Sequence, residues 1–210
     1  ILVSAAISYF WALFVLPGII LSLWCVYFFR NPKRTTPITD YLVVSPADGR
    51  ILSTDILPVP EDLDLPLGEW RRISIFMNVF DVHVNRSPMI GQITYKKYIP
   101  GSFFNASLDK ASTDNERLIL NMDTENGHKI AFVQIAGLVA RRIICDIDIG
   151  HSLKAGEIFG LIRFGSGVDI YFPADVSVMV LKGQKMIAGE TIIGDFSKNA
   201  KTVKENTDEK

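Results

Sequence analysis

The stretch RLILNMDTENGHKIAFVQI, residues 117–135, consists of two apolar runs on either side of an Asn-Gly pair. Asn126-Gly127 favours the tight turn of a β-hairpin, because both residue types tolerate the positive φ angles that such a turn requires. The flanking runs have the length and the β-branched and aromatic content of strands. The stretch therefore predicts two antiparallel strands joined by a short turn.

Short apolar runs of the same kind occur on both sides of this hairpin, and turn residues separate them. They are LVVS, ISIFMNVF, GQITYKKYI, RIICDI, GLIRF, VDIYF, VSVMVL and ETIIG. Lys182-Gly183 marks a further turn, and the one helix expected here is a short one near residues 107–117. Residues 41–197 are therefore predicted to be mainly β, as an antiparallel sandwich or a partly closed barrel.

The chain of 210 residues carries 22 basic and 23 acidic side chains, a formal net charge of −1. This balance gives no long-range attraction to nucleic acid, and no nucleic-acid partner is expected. The two cysteines, Cys25 and Cys145, are too few for a disulfide framework or a metal site. We expect no metal, and a reducing, cytosolic environment for the folded part.

Residues 1–29 carry no charged side chain and are long enough to cross a bilayer as one helix. Pro17-Gly18 interrupts the segment, so a kinked spanning helix and a re-entrant helical hairpin are both open. No small-residue cleavage site follows, which argues against a secretory signal peptide. Residues 1–29 are predicted to be a membrane anchor. The number of passes is open, because the chain begins at Ile1 and upstream residues are expected.

The flanking segments set the expected orientation and the ends of the folded domain. Arg30, Lys33 and Arg34 directly follow the apolar segment, which favours the cytoplasmic side of the membrane for what comes next. Residues 30–40 contain two prolines and are predicted to be a linker. Residues 198–210 are polar with alternating charge and are predicted to be a disordered tail.

Two polar clusters are candidates for chemistry. In FDVHVNRSP, residues 80–88, a strand would place Asp81, His83 and Asn85 on one face. The alternative is an ordinary strand that faces solvent. In SPADGR, residues 45–50, Asp48 belongs to a turn sequence, and its carboxylate could also orient an imidazole as the acid of a catalytic triad does.

The stretch RFGSGVDIYFP, residues 163–173, holds a serine between two glycines. It does not match the G-x-S-x-G nucleophile elbow, which also needs a helix after the serine, whereas a strand is predicted here. An ordinary serine hydrolase is therefore disfavoured. A plain turn and a serine that reacts with its own peptide bond both remain open.

Taken in order, seven motifs of this chain resemble the short, membrane-anchored form of the phosphatidylserine decarboxylase family. The motifs are FFRNP, VVSPADGRI, FMNVFDVHVNRSP, YIPGSFFNA, DNERL, QIAGLVARRIIC and FGLIRFGSGVDIYFP. The resemblance covers nearly the whole chain. It implies a β-rich fold whose last segment, VLKGQKMIAGETIIG, is similar to the hairpins of lipoyl carriers.

The resemblance implies a proenzyme that cuts itself between Gly165 and Ser166 into chains 1–165 and 166–210. Ser166 then becomes a covalent pyruvoyl group, which serves as the electron sink for decarboxylation of phosphatidylserine to phosphatidylethanolamine. The implied partners are the lipid substrate, the bilayer and the other cleavage chain in a heterodimer that could assemble further. The implied place is the cell (inner) membrane, with the catalytic domain on the cytoplasmic side.

The residue roles that the resemblance implies fall on three positions. Ser166 matches the nucleophile, and Asp48 matches the triad acid. His83 matches the first of two histidines in the family's long form, whereas Arg86 stands at the second. His83 is therefore expected to act both as the base for cleavage and as the later proton donor. Gly167 departs from the arginine that is usual after the serine in short forms.

Substrate contacts are less defined by the sequence. Arg86 and Arg117 are candidates to bind the lipid phosphate, as are Arg141 and Arg142. Phe103 and Phe104 are candidates to enter the membrane interface, with core packing as the alternative.

Two other functions stay open at this stage. One is decarboxylation of a different serine-containing lipid, such as archaetidylserine, which only a substrate assay separates from the first. The other is a non-catalytic, membrane-tethered β-module, which would remain uncut.

Overall fold

A computed structural model describes residues 2–107, 111–138, 142–163 and 165–197 of the chain. Arg141 and the predicted tail at residues 198–210 lie outside these ranges. The helix predicted near residues 107–117 is described in part, as the short helix α2 (Ala111–Asp114).

The chain begins with one continuous helix, α1 (Leu2–Phe28), which passes through Pro17. Of the two arrangements predicted for this segment, the single helix is therefore the one observed. Judged over the described residues, no helix of the chain is long and apolar enough to span a membrane. The membrane anchor stays a prediction.

The remainder of the described chain is built from short strands, all paired antiparallel. In chain order the strands are β1 (Leu42–Val44), β2 (Gly49–Pro58), β3 (Glu69–Met77), β4 (Val84–Arg86), β5 (Gly91–Ile99), β6 (Arg117–Thr124), β7 (Lys129–Ile135), β8 (Ile143–Cys145), β9 (Ser152–Leu153), β10 (Ile158–Ile162), β11 (Ser166–Pro173), β12 (Ser177–Val178), β13 (Lys185–Met186) and β14 (Ile192–Asp195). A one-turn 3-10 helix, Glu61–Leu63, lies between β2 and β3.

The largest sheet has eight strands in the order β13-β2-β3-β11-β7-β6-β5-β9, and it curls into a half-barrel. Two three-stranded sheets, β1-β14-β12 and β4-β10-β8, complete the domain. The prediction of a mainly β, antiparallel, partly closed fold is therefore confirmed. β11 lies in the interior of the large sheet, hydrogen-bonded to β3 on one side and β7 on the other.

Side chains of β11 alternate between two apolar clusters, as the twofold period of a strand requires. Val168, Ile170 and Phe172 enter the main core, and Tyr171 enters a second cluster with Trp70 on the opposite face. Ser166 has the parity of the first group, so its side chain is directed to the face of the main core.

The Asn126-Gly127 hairpin is confirmed between β6 and β7. Gly127 has φ of 76°, and its N–H donates to the carbonyl of Thr124 at 2.9 Å. The left-handed backbone at Gly127 explains why glycine is suited to this position.

The predicted strand around His83 is wrong in its extent. β4 begins at Val84, so the strand alternation does not reach Asp81 or His83. Asp81 instead closes a tight turn, because its carboxylate accepts the N–H of Asn78 at 2.9 Å. This turn changes the direction of the chain before β4. The alternation of polar and apolar residues in the sequence could not predict it.

Candidate active site

Ser166 opens β11 and lies fully inside the protein. Its exposed fraction is 0%, and its Oγ has no hydrogen-bond partner among the described residues. A buried hydroxyl without a partner is destabilising by about 1–3 kcal/mol, and such groups in native proteins often have a functional explanation. Ser166 is therefore a candidate reactive group.

Gly165, the residue before Ser166, places a backbone amide against His83. The Gly165 N–H donates to Nε2 of His83 at 3.2 Å, although 82 positions separate the two residues in sequence. Gly165 has φ of +64°, in the left-handed region that favours glycine. The structure thus brings three predicted site residues, His83, Gly165 and Ser166, into one place.

The hydrogen bonds of His83 define its tautomer. Its Nδ1 lies 3.0 Å from the backbone carbonyl oxygen of Asp81, which can only accept, so Nδ1 carries the proton. Nε2 therefore carries a lone pair, which accepts the Gly165 N–H. An imidazole in this form can take a proton from a neighbouring hydroxyl.

Burial keeps His83 neutral. Its exposed fraction is 2%, and burial lowers its pKa from 6.5 to about 4. The positive charge of Arg30 acts in the same direction, whereas the Asp81 carbonyl and the Asp48 carboxylate oppose the shift. At neutral pH the Nε2 lone pair is consequently available as a base.

The end of α1 covers the imidazole. The ring of Phe28 lies 4.3 Å from the ring of His83, centroid to centroid, and Phe28 is 1% exposed. Arg30 fixes this helix end by donating to the carbonyls of Phe80 and Tyr27, both at 2.8 Å. The apolar contact from Phe28 is part of the desolvation that lowers the pKa of His83.

Asp48 is held by a different partner from the predicted one. Its two carboxylate oxygens accept from a guanidinium nitrogen of Arg34 at 2.9 and 2.8 Å, and Oδ1 also accepts the N–H of Ala188 at 2.8 Å. Among the described residues no hydrogen bond joins Asp48 to His83, whose Nδ1 is taken by the Asp81 carbonyl. Asp48 acts on His83 through its charge, which raises the pKa of the imidazole.

The predicted linker is docked onto the domain at this point. Arg86 donates to the side-chain oxygen of Asn31 at 2.7 Å and to the carbonyls of Pro32 and Gly156. The N–H of Thr35 donates to the Glu190 carboxylate at 2.8 Å. From the sequence, Arg30, Lys33 and Arg34 predicted only the orientation relative to the membrane. The contacts of this segment with the domain were not predicted.

The remaining predicted substrate residues are placed as follows. Arg117 pairs with Asp62 at 2.7 Å, on the face of the sheet opposite to Ser166. Phe104 is 45% exposed and Phe103 is half-buried. Roles of Arg86, Arg117 and these two rings in lipid binding stay predictions.

A residue that the sequence reasoning missed, Asn115, braces the loop next to the site. Asn115 is fully buried, and its amide nitrogen donates to the carbonyls of Ala136 at 2.7 Å and Phe104 at 2.8 Å. Its side-chain oxygen accepts the N–H of Phe104 at 2.9 Å. Asn115 belongs to the DNERL motif, in which only the charged residues drew attention.

The chain is similar to proteins of one family over most of its length. The family model described as phosphatidylserine decarboxylase matches residues 21–194. Proteins named phosphatidylserine decarboxylase proenzyme from Rickettsia akari and Rickettsia felis are 55% and 57% identical to the chain, over 86% of its length and 78% of theirs. The protein of that name from Rickettsia africae is 56% identical, over 88% of the chain and 80% of the relative.

Proposed function

Because this chain belongs to the phosphatidylserine decarboxylase family, we propose that it cuts itself between Gly165 and Ser166 and then converts phosphatidylserine to phosphatidylethanolamine. One observation carries the proposal. The Ser166 hydroxyl is buried without a partner, directly after a glycine whose amide is hydrogen-bonded to the neutral Nε2 of His83. The word proenzyme in the relatives' names supports a maturation step.

The proposed cleavage starts with an acyl shift within the chain. Ser166 Oγ attacks the carbonyl carbon of Gly165, a C–O bond forms, and the C–N bond breaks to give an ester. Because a neutral hydroxyl is a weak nucleophile, His83 Nε2 takes its proton and passes it to the released amine. For this step the Nε2 lone pair must move from the Gly165 amide to the Ser166 hydroxyl.

An elimination completes the cut. Ser166 loses its Cα proton and its Cβ–Oγ bond breaks, so that Gly165 leaves as a carboxylate and dehydroalanine remains at position 166. Addition of water and loss of ammonia convert dehydroalanine to the pyruvoyl group. In this scheme chain 1–165 ends in a carboxylate, and chain 166–210 begins with the pyruvoyl group.

The residues around position 166 fit such a group. A pyruvoyl carbonyl supplies an electron sink for the loss of carbon dioxide from an amino acid headgroup. Position 166 is fully buried at the start of β11, and His83 Nε2 is the nearby group that would hold and deliver a proton. Arg30 and Asp48, the second of which is paired with Arg34, set the charge next to that imidazole.

The fold supports a heterodimer of the two cleavage chains. β11 belongs to chain 166–210 but pairs along its length with β3 and β7 of chain 1–165. These ladders and the shared core would keep the two pieces together after the cut. The substrate is a bilayer lipid, so the enzyme works at the membrane. We place α1 in the cell membrane and the β domain on the cytoplasmic side.

Mass spectrometry of the purified full chain tests the proposal. We expect the wild type to give chains 1–165 and 166–210, the second with a ketone that reacts with a carbonyl reagent, and to decarboxylate phosphatidylserine in vesicles. Ser166→Ala is expected to give one intact, inactive chain. Ser74→Ala is the control, because Ser74 is also a buried serine in the sheet, opposite Asp169 of β11 and on the other face from Ser166. A wild-type chain that is active while uncut would overturn the proposal.

A further inference from the structure

Gly137 lies against the peptide bond that we propose is cut. It is buried just after β7, and a Cβ added there would overlap the carbonyl oxygen of Gly165 and lie 2.8 Å from its carbonyl carbon. Gly137 is not among the glycines with a positive φ angle, so its backbone conformation does not require glycine. Glycine is required at position 137 for steric reasons, because any side chain there would displace the Gly165 carbonyl.

The backbone that carries Gly137 is fixed from two sides. The Asn115 amide donates to the carbonyl of the preceding residue, Ala136, at 2.7 Å, and the Ala136 N–H donates to the Glu116 carbonyl at 2.9 Å. The methyl group of Ala106 lies 3.5 Å from where the Gly137 Cβ would be and closes the other side. The Gly165 carbonyl therefore packs against the backbone at Gly137, which hydrogen bonds hold in place and which carries no side chain.

We infer that Gly137 is a positioning residue for self-cleavage, and that Asn115 holds it in place. The inference rests on the proposed function. For Ser166 Oγ to attack, the Gly165 carbonyl must be held at a fixed distance and angle from it. Because position 137 has no Cβ, the carbonyl oxygen occupies the space that a side chain would fill, and the hydrogen bonds of Asn115 hold this part of the backbone in place.

A methyl group at position 137 is expected to stop the reaction at its first step. Displacement of a reacting atom by about 1 Å can slow a reaction about 100-fold. The clash with the carbonyl oxygen demands a shift of that order. We therefore expect Gly137→Ala to cleave at least ~100-fold more slowly than the wild type, because the ester does not form.

The experiment follows cleavage of the full chain over time by mass spectrometry, with and without hydroxylamine, which cuts an ester at Gly165 and converts that residue to a hydroxamate. Gly137→Ala should accumulate uncut chain that hydroxylamine does not cut. Gly91→Ala is the matched control, because Gly91 is also buried and a Cβ there would lie 2.5 Å from the backbone oxygen of Asp123, at the far end of the sheet. The control should cleave at the wild-type rate.

The outcomes separate this inference from the function on which it rests. A wild-type chain that stays uncut overturns the proposed function and the inference with it. A cleaved wild type, with Gly137→Ala cleaved as fast as Gly91→Ala, overturns the inference alone. Rapid hydroxylamine cleavage of Gly137→Ala also overturns it, because the acyl shift would then have occurred.

A second pair of variants decides the matter if Gly137→Ala does not fold. Asn115→Ala loosens the support of Gly137 without adding bulk, and we expect about tenfold slower cleavage. Asn121→Ala is its control, since Asn121 is buried in β6 and donates to the Leu63 carbonyl, away from the cleavage bond. Equal cleavage rates in the two variants would overturn the inference.

Discussion

Two buried polar side chains on β11, Ser166 and Asp169, have opposite surroundings. Ser166 is directed to the main core, where its hydroxyl has no described partner and a neutral histidine is nearby. Asp169 is 3% exposed on the other face, where burial raises its pKa, and the neighbouring Ser74 hydroxyl and the charge of Arg72 oppose that rise. Asp169 also acts on Arg72, whose pKa is raised although burial alone would lower it.

The difference separates polar groups that stabilise from those that react. Asp169 is buried beside a hydroxyl and a positive charge, and removing it leaves these two groups without that neighbour, which is destabilising. A buried hydroxyl without a partner is destabilising, and beside a base it can act as a nucleophile. Substitutions at the two positions should therefore have separate effects, on cleavage for Ser166 and its base and on stability for Asp169.

The largest effect is expected for His83, the base next to Ser166. His83→Ala should slow self-cleavage by about 10²–10⁴-fold, the usual contribution of a general base. Mass spectrometry of the chain over time measures the rate. His151→Ala is the control, because His151 is exposed and remote from Gly165 in the described contacts. A His83→Ala rate within a few-fold of the control would remove His83 from the mechanism.

The next effect concerns stability at Asp169. In the uncut Ser166→Ala background, Asp169→Ala should lower the free energy of unfolding by about 1–3 kcal/mol, because the buried Ser74 hydroxyl and the half-buried Arg72 lose a neighbouring carboxylate. Urea unfolding followed by circular dichroism measures this difference. With Ser166 intact, Asp169→Ala should still cleave at the wild-type rate once folded. Loss of cleavage in a folded Asp169→Ala chain would contradict the separation of the two positions.

The sequence predicted the fold class but not the strand order. The Asn126-Gly127 turn and the short apolar runs define antiparallel strands locally. The neighbours of β11 could not be read in the same way, because β3 and β7 are distant in sequence and their pairing depends on which apolar faces pack together. The turn at Asp81 was missed for a similar reason, since its hydrogen bond to Asn78 has no periodic signature.

The site shows the same limit. Ser166 and His83 were identified through a resemblance of motifs, and the structure brings them together across the sheet. For both residues, periodicity alone left an ordinary turn or strand position and a reactive role open. Gly137 and the Arg34–Asp48 ion pair were not foreseen, because a steric requirement and a pairing partner become visible only when distant segments meet.

A smaller effect is expected where α1 meets the imidazole. Phe28→Ala removes the ring that covers His83, so the pKa of His83 should rise from about 4 towards its ordinary value. Because the neutral form is the base, cleavage is lost as pH falls through that pKa, and the inflection should move to higher pH. We expect about tenfold slower cleavage at pH 5 and little change at pH 8.

Phe29→Ala is the control for this pH profile. Phe29 is the next residue along the chain but is 50% exposed, and its removal uncovers less of the site. Identical pH profiles for the two variants would show that Phe28 does not control the protonation of His83.

The smallest effect on cleavage is expected for Arg34, which can be compared with Arg117. Each arginine forms an ion pair with a partly buried aspartate, Asp48 at 2.8 Å and Asp62 at 2.7 Å, so alanine at either position should destabilise the fold comparably. Only the first pair neighbours His83. Without Arg34 the Asp48 charge is uncompensated and raises the pKa of His83 further, which should slow cleavage about threefold at pH 5 and leave it unchanged at pH 8. Arg117→Ala should leave the pH profile as it is. If the two variants gave the same pH profile, the two arginines would be equivalent structural residues. The charge next to His83 would then not affect the protonation of the base.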